Sequence, residues 1–307
     1  MILLGTSGFS YPDWYGVFYP PGLDRSKQLD YYARQFHTVE INATYYRIPP
    51  PRTMASMERK TPADFVFVVK SHQDMTHRLS LDPEAYRAFH AAVRPLADAR
   101  KLGGVLAQFP QGFHRSDEHE RFLLEMQERM EGIPLFVEFR HNSWSGEEVF
   151  EFLEKEGLGY VSVDEPDLPG LLPRVARATG PLAYVRFHGR NKRNWYRRDT
   201  GDGPAALRGE GNPETSMAAA KRAALKGSPA APKPVRDERR LLRYDYLYSE
   251  AELKEWADKI RELNQKTQKT FVFFNNCHAG HAATGAKLMR RLLDMPEPAV
   301  AEQRELL

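Results

Sequence analysis

The chain has 307 residues, 41% hydrophobic and 28% charged, with a formal net charge of only +3. That balance excludes a disordered polypeptide, and the length suits one large α/β domain or two modest ones. No apolar run approaches the roughly 20 residues that span a bilayer, and the lone cysteine, Cys277, excludes an internal disulfide.

Short apolar runs alternate with amphipathic segments along the chain. Ile2 to Gly5 reads as a first strand. Nothing around it resembles a secretory leader, so a cytoplasmic protein with no membrane association is expected. An aromatic loop follows with Phe9, Tyr11, Trp14, Tyr15, Phe18 and Tyr19, expected to pack onto the body or to stack a base or sugar ring. Ser26 is placed as the cap of a helix whose Leu29, Tyr32, Ala33 and Phe36 share a face. Val39–Asn42 is the second strand, and a short helix from about Arg52 to Lys60 follows three prolines. Phe65–Lys70, rich in valine and phenylalanine, is the third strand. Pro83 opens a helix to about Arg100. Val105–Phe109 is the fourth strand, with its helix over Ser116–Glu131. Leu135 begins the fifth strand, with its helix over Glu147–Glu156. Tyr160–Asp164, Leu182–His188 and Phe271–Asn276 complete the set, and a last helix covers about Ala282 to Leu293. Leu253, Trp256 and Ile260 stand at helical spacing and read as core.

Eight strands alternating with helices predict an α/β fold, a (β/α)8 TIM barrel in a single domain. A doubly wound sheet is the alternative. Against it, no Gly-x-Gly-x-x-Gly follows the first strand, and no Walker-type phosphate loop occurs.

The strand ends point toward function. Glu138 and Arg140 stand two apart and so share one strand face. A buried strand ending in opposite charges is either a structural ion pair or part of a site. The same spacing recurs in Glu40 and Asn42, Lys70 and His72, and Arg186 and His188. Gln108, Asp164 and Asn275 or Asn276 finish three further strands. In a barrel these ends converge on one mouth, where active sites of the fold lie.

The blocks Gly5–Tyr11 with Trp14 and Phe18–Pro20, Val39–Asn42 with Tyr45–Arg47, Gln108–Pro110, and Glu138–His141 with Trp144 resemble the YecE-like family (domain of unknown function 72). So do Arg186–Asn191 with Trp195 and Tyr196, Tyr244–Tyr246, and Phe274–Asn276. The resemblance covers almost the whole chain in family order. It implies a TIM barrel whose polar mouth is the site, and it implies no particular activity. Likeness of such barrels to metal-dependent endonucleases and sugar isomerases is analogy of fold alone.

The chemistry available is acid–base and anion recognition. Glu40, Glu138, Asp164 and His188 are the expected catalytic groups, with histidine titrating near neutrality. Lys70, Arg140, Arg186 and Arg190 suit phosphate or carboxylate. Asn42, Tyr45, His72, Gln108, Asn191, Asn275 and Asn276 are the expected polar ligand contacts. A divalent metal on the carboxylates and histidine is open, although no His-Glu-x-x-His or cysteine cluster specifies one. No cofactor is identified.

From Arg186 to Arg243 there are 15 Lys and Arg against six Asp and Glu, a net of +9, so the remainder carries −6 of the overall +3. This asymmetry favours a polyanionic partner such as nucleic acid, or a solvated basic loop. Residues 199–238, rich in Gly, Ala, Pro and Lys, are expected to form a flexible basic insertion after the seventh strand, a departure from the family pattern. His278 and His281 are expected to cap the last helix, with a phosphate contact as the alternative. Cys277 lacks an evident base, and His114 and His119 are expected to face solvent. Two main functions follow. One is an enzyme for a phosphorylated or nucleotide-like substrate, a phosphodiester hydrolase among them. The other is a non-catalytic barrel binding nucleic acid or an anionic metabolite. A sugar isomerase or lyase is a third.

Overall fold

A computed structural model describes residues 1–196 and 242–297; the expected insertion at 199–238 lies outside them. The strands are β1 (Ile2–Ser7), β2 (Thr38–Ile41), β3 (Val66–Lys70), β4 (Leu102–Gln108), β5 (Leu135–Glu138), β6 (Gly159–Asp164), β7 (Leu182–Phe187) and β8 (Lys269–Phe274). Each pairs in parallel with the next, and β1 pairs with β8, so the sheet closes in chain order. This is the (β/α)8 TIM barrel that the alternation predicts.

The strands are valine- and phenylalanine-rich because both of their faces are covered, one by barrel filling and the other by helices. Inside, the rings of Phe136, Tyr184 and Phe271 lie 4.9 to 6.0 Å apart. Such a layer leaves no room on neighbouring strands. A Cβ at Gly159 would stand 2.6 Å from the Phe136 ring, and one at Gly103 would stand 2.8 Å from the Phe271 ring.

The helices are α1 (Gln28–Ala33), α2 (Ala43–Tyr46), α3 (Pro51–Arg59), α4 (Gln73–Thr76), α5 (Pro83–Asp98), α6 (Asp117–Arg129), α7 (Glu147–Glu156), α8 (Glu250–Lys266) and α9 (His281–Leu292). Their starts carry the expected chemistry. Ser116 and Ser249 accept from the third backbone N–H of α6 and α8, and Glu252 completes a capping box on α8. Ser26 is not the cap expected of it. Asp24 accepts from the Ser26 N–H and opens a 3-10 turn, Arg25–Lys27, that leads into α1. The single turns α2 and α4 sit directly past β2 and β3, too short to show a helical period.

Between β6 and β7 no helix forms. Pro166, Pro169, Pro173 and Pro181 interrupt that connection, and side chains replace the missing helical hydrogen bonds. Thr179 accepts from the Tyr160 N–H and donates to the Leu158 carbonyl, while Ser162 accepts from the Arg177 N–H. The aromatic loop after β1 packs as expected, with Trp14, Phe18 and Tyr19 buried and the Trp14 indole donating to the Cys277 carbonyl at 2.9 Å. Among the described residues, no helix is long and apolar enough to cross a membrane.

Candidate functional site

The period-two reading of the strand ends places Arg186 inside the barrel, where its guanidinium is 1% exposed. It grips Glu40 with two bonds, from Nε at 2.8 Å and Nη2 at 2.6 Å, and reaches Glu138 from Nη1 at 2.5 Å. Tyr184, two residues earlier on β7, donates to the same Glu40 carboxylate at 2.5 Å. Burial alone would push Glu138 up. Arg140 and Arg186 reverse that and hold its carboxyl well below the usual range. One arginine thus binds β2, β5 and β7 together across the lumen.

Toward the mouth, Arg140 bonds Glu138 at 2.6 Å and Glu165 at 3.1 Å. His188 lies beside the same Glu138 oxygen, Nε2 to Oε1 at 3.1 Å, while the Asn275 amide nitrogen stands 3.0 Å from its Nδ1. The Arg140 Nη2 also lies 3.2 Å from the same Nε2. Burial, with Arg140 beside it, pushes His188 down to about 3. It is therefore neutral at physiological pH, and the expectation that it titrates near neutrality is corrected. Glu165 takes that place: burial lifts it to about 7, against the pull of Arg140. Its other oxygen accepts from the Leu172 N–H at 3.1 Å.

Across the lumen, Lys70 ends β3 with its Nζ donating to Gln108 Oε1 at 2.8 Å and lying 4.5 Å from the centre of the Tyr45 ring. Burial and the neighbouring Arg186 push this amine down to about 7. Aromatic groups gather around the opening. His77 meets Tyr45 edge-on at 5.2 Å, and Trp195 and Tyr244 lie 6.4 and 6.3 Å from the His188 ring. The Arg140 guanidinium lies 5.9 Å from the centre of the Trp195 ring.

Of the residues expected at the site, the structure brings Glu40, Lys70, Gln108, Glu138, Arg140, Arg186, His188, Asn275 and Tyr45 together. Others go elsewhere. Asp164 turns outward, where Trp256 of α8, Tyr248 and a two-pronged Arg190 all donate to it. Arg190 also reaches Glu252 and Glu255, so it is committed to carboxylates rather than open to an anion. Asn191 donates to the Asp245 carbonyl, Asn276 to the Tyr246 carbonyl, and His72 accepts from the Asp74 N–H at the start of α4. Asn42 precedes α2 with its side-chain oxygen buried and unpartnered.

Glu165, Tyr184, His77, Trp195 and Tyr244 were not expected as site groups from strand ends. Two of them follow from the same period of two: Tyr184 precedes Arg186 on its face, and Val161 and Val163 lead to Glu165 rather than Asp164. His119, expected in solvent, stacks on Phe113 at 4.0 Å. His278 and His281 flank Asp245, at 3.8 and 3.5 Å, with the Asp13 carboxylate accepting from the Ala279 N–H beside them. Among the described residues, no three His, Cys, Asp or Glu side chains converge as metal ligands.

Residues 3–306 match the family described as "Protein of unknown function DUF72". The UPF0759 protein YunF of Bacillus subtilis is 32% identical over 316 residues, covering 99% of each chain. The UPF0759 protein YecE of Escherichia coli K12 is 30% identical over 115 residues, 37% of this chain and 39% of that one. Among solved structures, a DUF72 family protein (TM1631) from Thermotoga maritima superposes with a TM-score of 0.76 and is 38% identical. It covers 96% of this chain and 99% of its own.

Proposed function

We propose, from the premise that this chain belongs to the DUF72 family of unknown function, that its barrel mouth binds a compact anionic substrate and exchanges protons with it. The observation that supports this reading is the charge arrangement. Arg140 and Arg186 are matched by Glu40 and Glu138, which leaves Lys70 and Glu165 as the two groups poised near neutrality. With Lys70 charged and Glu165 protonated, the mouth holds one surplus positive charge. An entering phosphate or carboxylate stabilises that state. Glu165 then serves as a proton donor, and Tyr45 and Tyr244 offer ring faces to the rest of the ligand. Phosphodiester hydrolysis is the hydrolytic member of this class.

Isothermal titration with orthophosphate and adenosine 5′-monophosphate tests the reading. Because both poised groups favour the anion when protonated, affinity should be highest below pH 7 and fall as pH rises through it, with proton uptake on binding. Lys70→Met should abolish binding. If neither anion binds, or binding ignores Lys70, the reading is lost. Turnover of bis(p-nitrophenyl) phosphate decides whether hydrolysis belongs to it.

The basic excess between Arg186 and Arg243 supports a second reading, contact with nucleic acid. Arg190 is withdrawn from such a surface by its three carboxylate partners. DNA affinity that fails to decrease with salt would end this reading.

A further inference from the structure

Among the described residues, Lys101 and Lys70 are held in opposite ways. Lys101, 4% exposed, is surrounded as a buried ammonium should be. Its Nζ pairs with Glu58 at 3.0 Å and donates to the Glu58 and Thr61 carbonyl oxygens at 2.8 and 2.9 Å. Lys70 has none of this. Among the described residues its Nζ has one hydrogen-bond partner, the neutral amide oxygen of Gln108, and no carboxylate pairs with it. The carboxylates that act on it through space, Glu138 and Glu40, are held by Arg186 and Arg140. A proton on Lys70 therefore adds a third cation beside two guanidinium groups without a matched anion. The residue is half-buried at the carboxyl end of β3, the end of the barrel at which active sites of this fold lie.

We propose that Lys70 is a nucleophile that condenses with the carbonyl of a small anionic oxo compound, a 2-oxo acid or a phosphorylated aldehyde, to form an imine. This inference rests on the mouth being an anion site and names the reactive group of its substrate. The lone pair of Nζ attacks the carbonyl carbon, and the oxygen takes up a proton to give a carbinolamine. The nitrogen then expels that oxygen as water while N–C becomes a double bond. Amine plus carbonyl gives imine plus water, with no change of oxidation state. The condensation needs the free amine, and the amine's displacement to about 7 leaves a large fraction of it unprotonated at neutral pH.

Reductive trapping tests this on the full chain. The protein is incubated with glyoxylate and sodium cyanoborohydride near pH 7, and the adduct is located by peptide mass mapping. Lys70 should be alkylated at least about tenfold faster than exposed lysines such as Lys254, because it holds far more free amine at that pH. Its labelling rate by uncharged propanal should rise through an inflection near 7 rather than near 10, whereas the rate with glyoxylate should peak near 7, because the anion is held best below that pH and the free amine forms above it. Labelling spread over surface lysines with Lys70 unmodified overturns the proposal. Because the site is mapped in the unaltered protein, the result does not depend on whether Lys70→Met folds. Orthophosphate separates the two readings. If it binds at the mouth while glyoxylate leaves Lys70 untouched, the anion site stands and the imine is wrong. If orthophosphate does not bind, the anion reading fails, and selective labelling of Lys70 by uncharged propanal would show the nucleophile surviving without it.

Discussion

Glu165 and Lys70 show how far residue type is from residue behaviour. Each sits in the mouth beside Arg140 or Arg186, and burial moves both toward neutrality from opposite sides. His188, whose ordinary value makes it the obvious titrating group, is driven out of that range by the same burial and the same arginine. For Glu165 the consequence is measurable. Its folded pKa lies above the ordinary 4.5, so the stability it contributes is complete below about 4.5 and is lost as pH rises through about 7. Glu165→Gln keeps the uncharged shape at every pH. Between about pH 5 and pH 8 the variant should therefore gain on the order of 3 kcal/mol relative to the parent. Urea unfolding of both proteins at the two pH values checks it; a constant difference would refute the raised pKa.

At the scale of the element, local signals succeed where the local chain decides. Ser249 and Glu252 form their capping box from residues three apart, and α8 begins there. Ser249→Ala should cost about 1 kcal/mol in urea unfolding, and an unchanged midpoint would show that packing of Trp256 alone places the helix. The strand ends are legible for a similar reason: β5 and β7 keep the two-residue period, so Glu138 with Arg140 and Arg186 with His188 emerge on the inner face. On β6 the apolar run stops at Asp164, but the inner face is that of Val161 and Val163. The inward carboxylate is therefore the next residue, Glu165, and Asp164 instead anchors α8 through Trp256. The β6–β7 connection has no helical period to read, and its order comes from Thr179 and Ser162.

Across the whole molecule, closure of the barrel converts distant charges into one network. Arg186 meets Glu40 and Glu138 although 146 and 48 residues separate them. Arg186→Met would leave two carboxylates buried without their cation, an expected loss of about 3 to 5 kcal/mol. Denaturant unfolding measures it, and a loss below about 1 kcal/mol would show that the carboxylates find other partners. The eight strands, their succession and most polar groups of the mouth are legible along the chain, because alternation and strand period are properties of neighbouring residues. Which charges neutralise one another, which of two adjacent acids faces the lumen, and which groups are poised near neutrality emerge from the closed barrel instead. Those depend on distance and burial, which arise only when the sheet closes and excludes water from its centre.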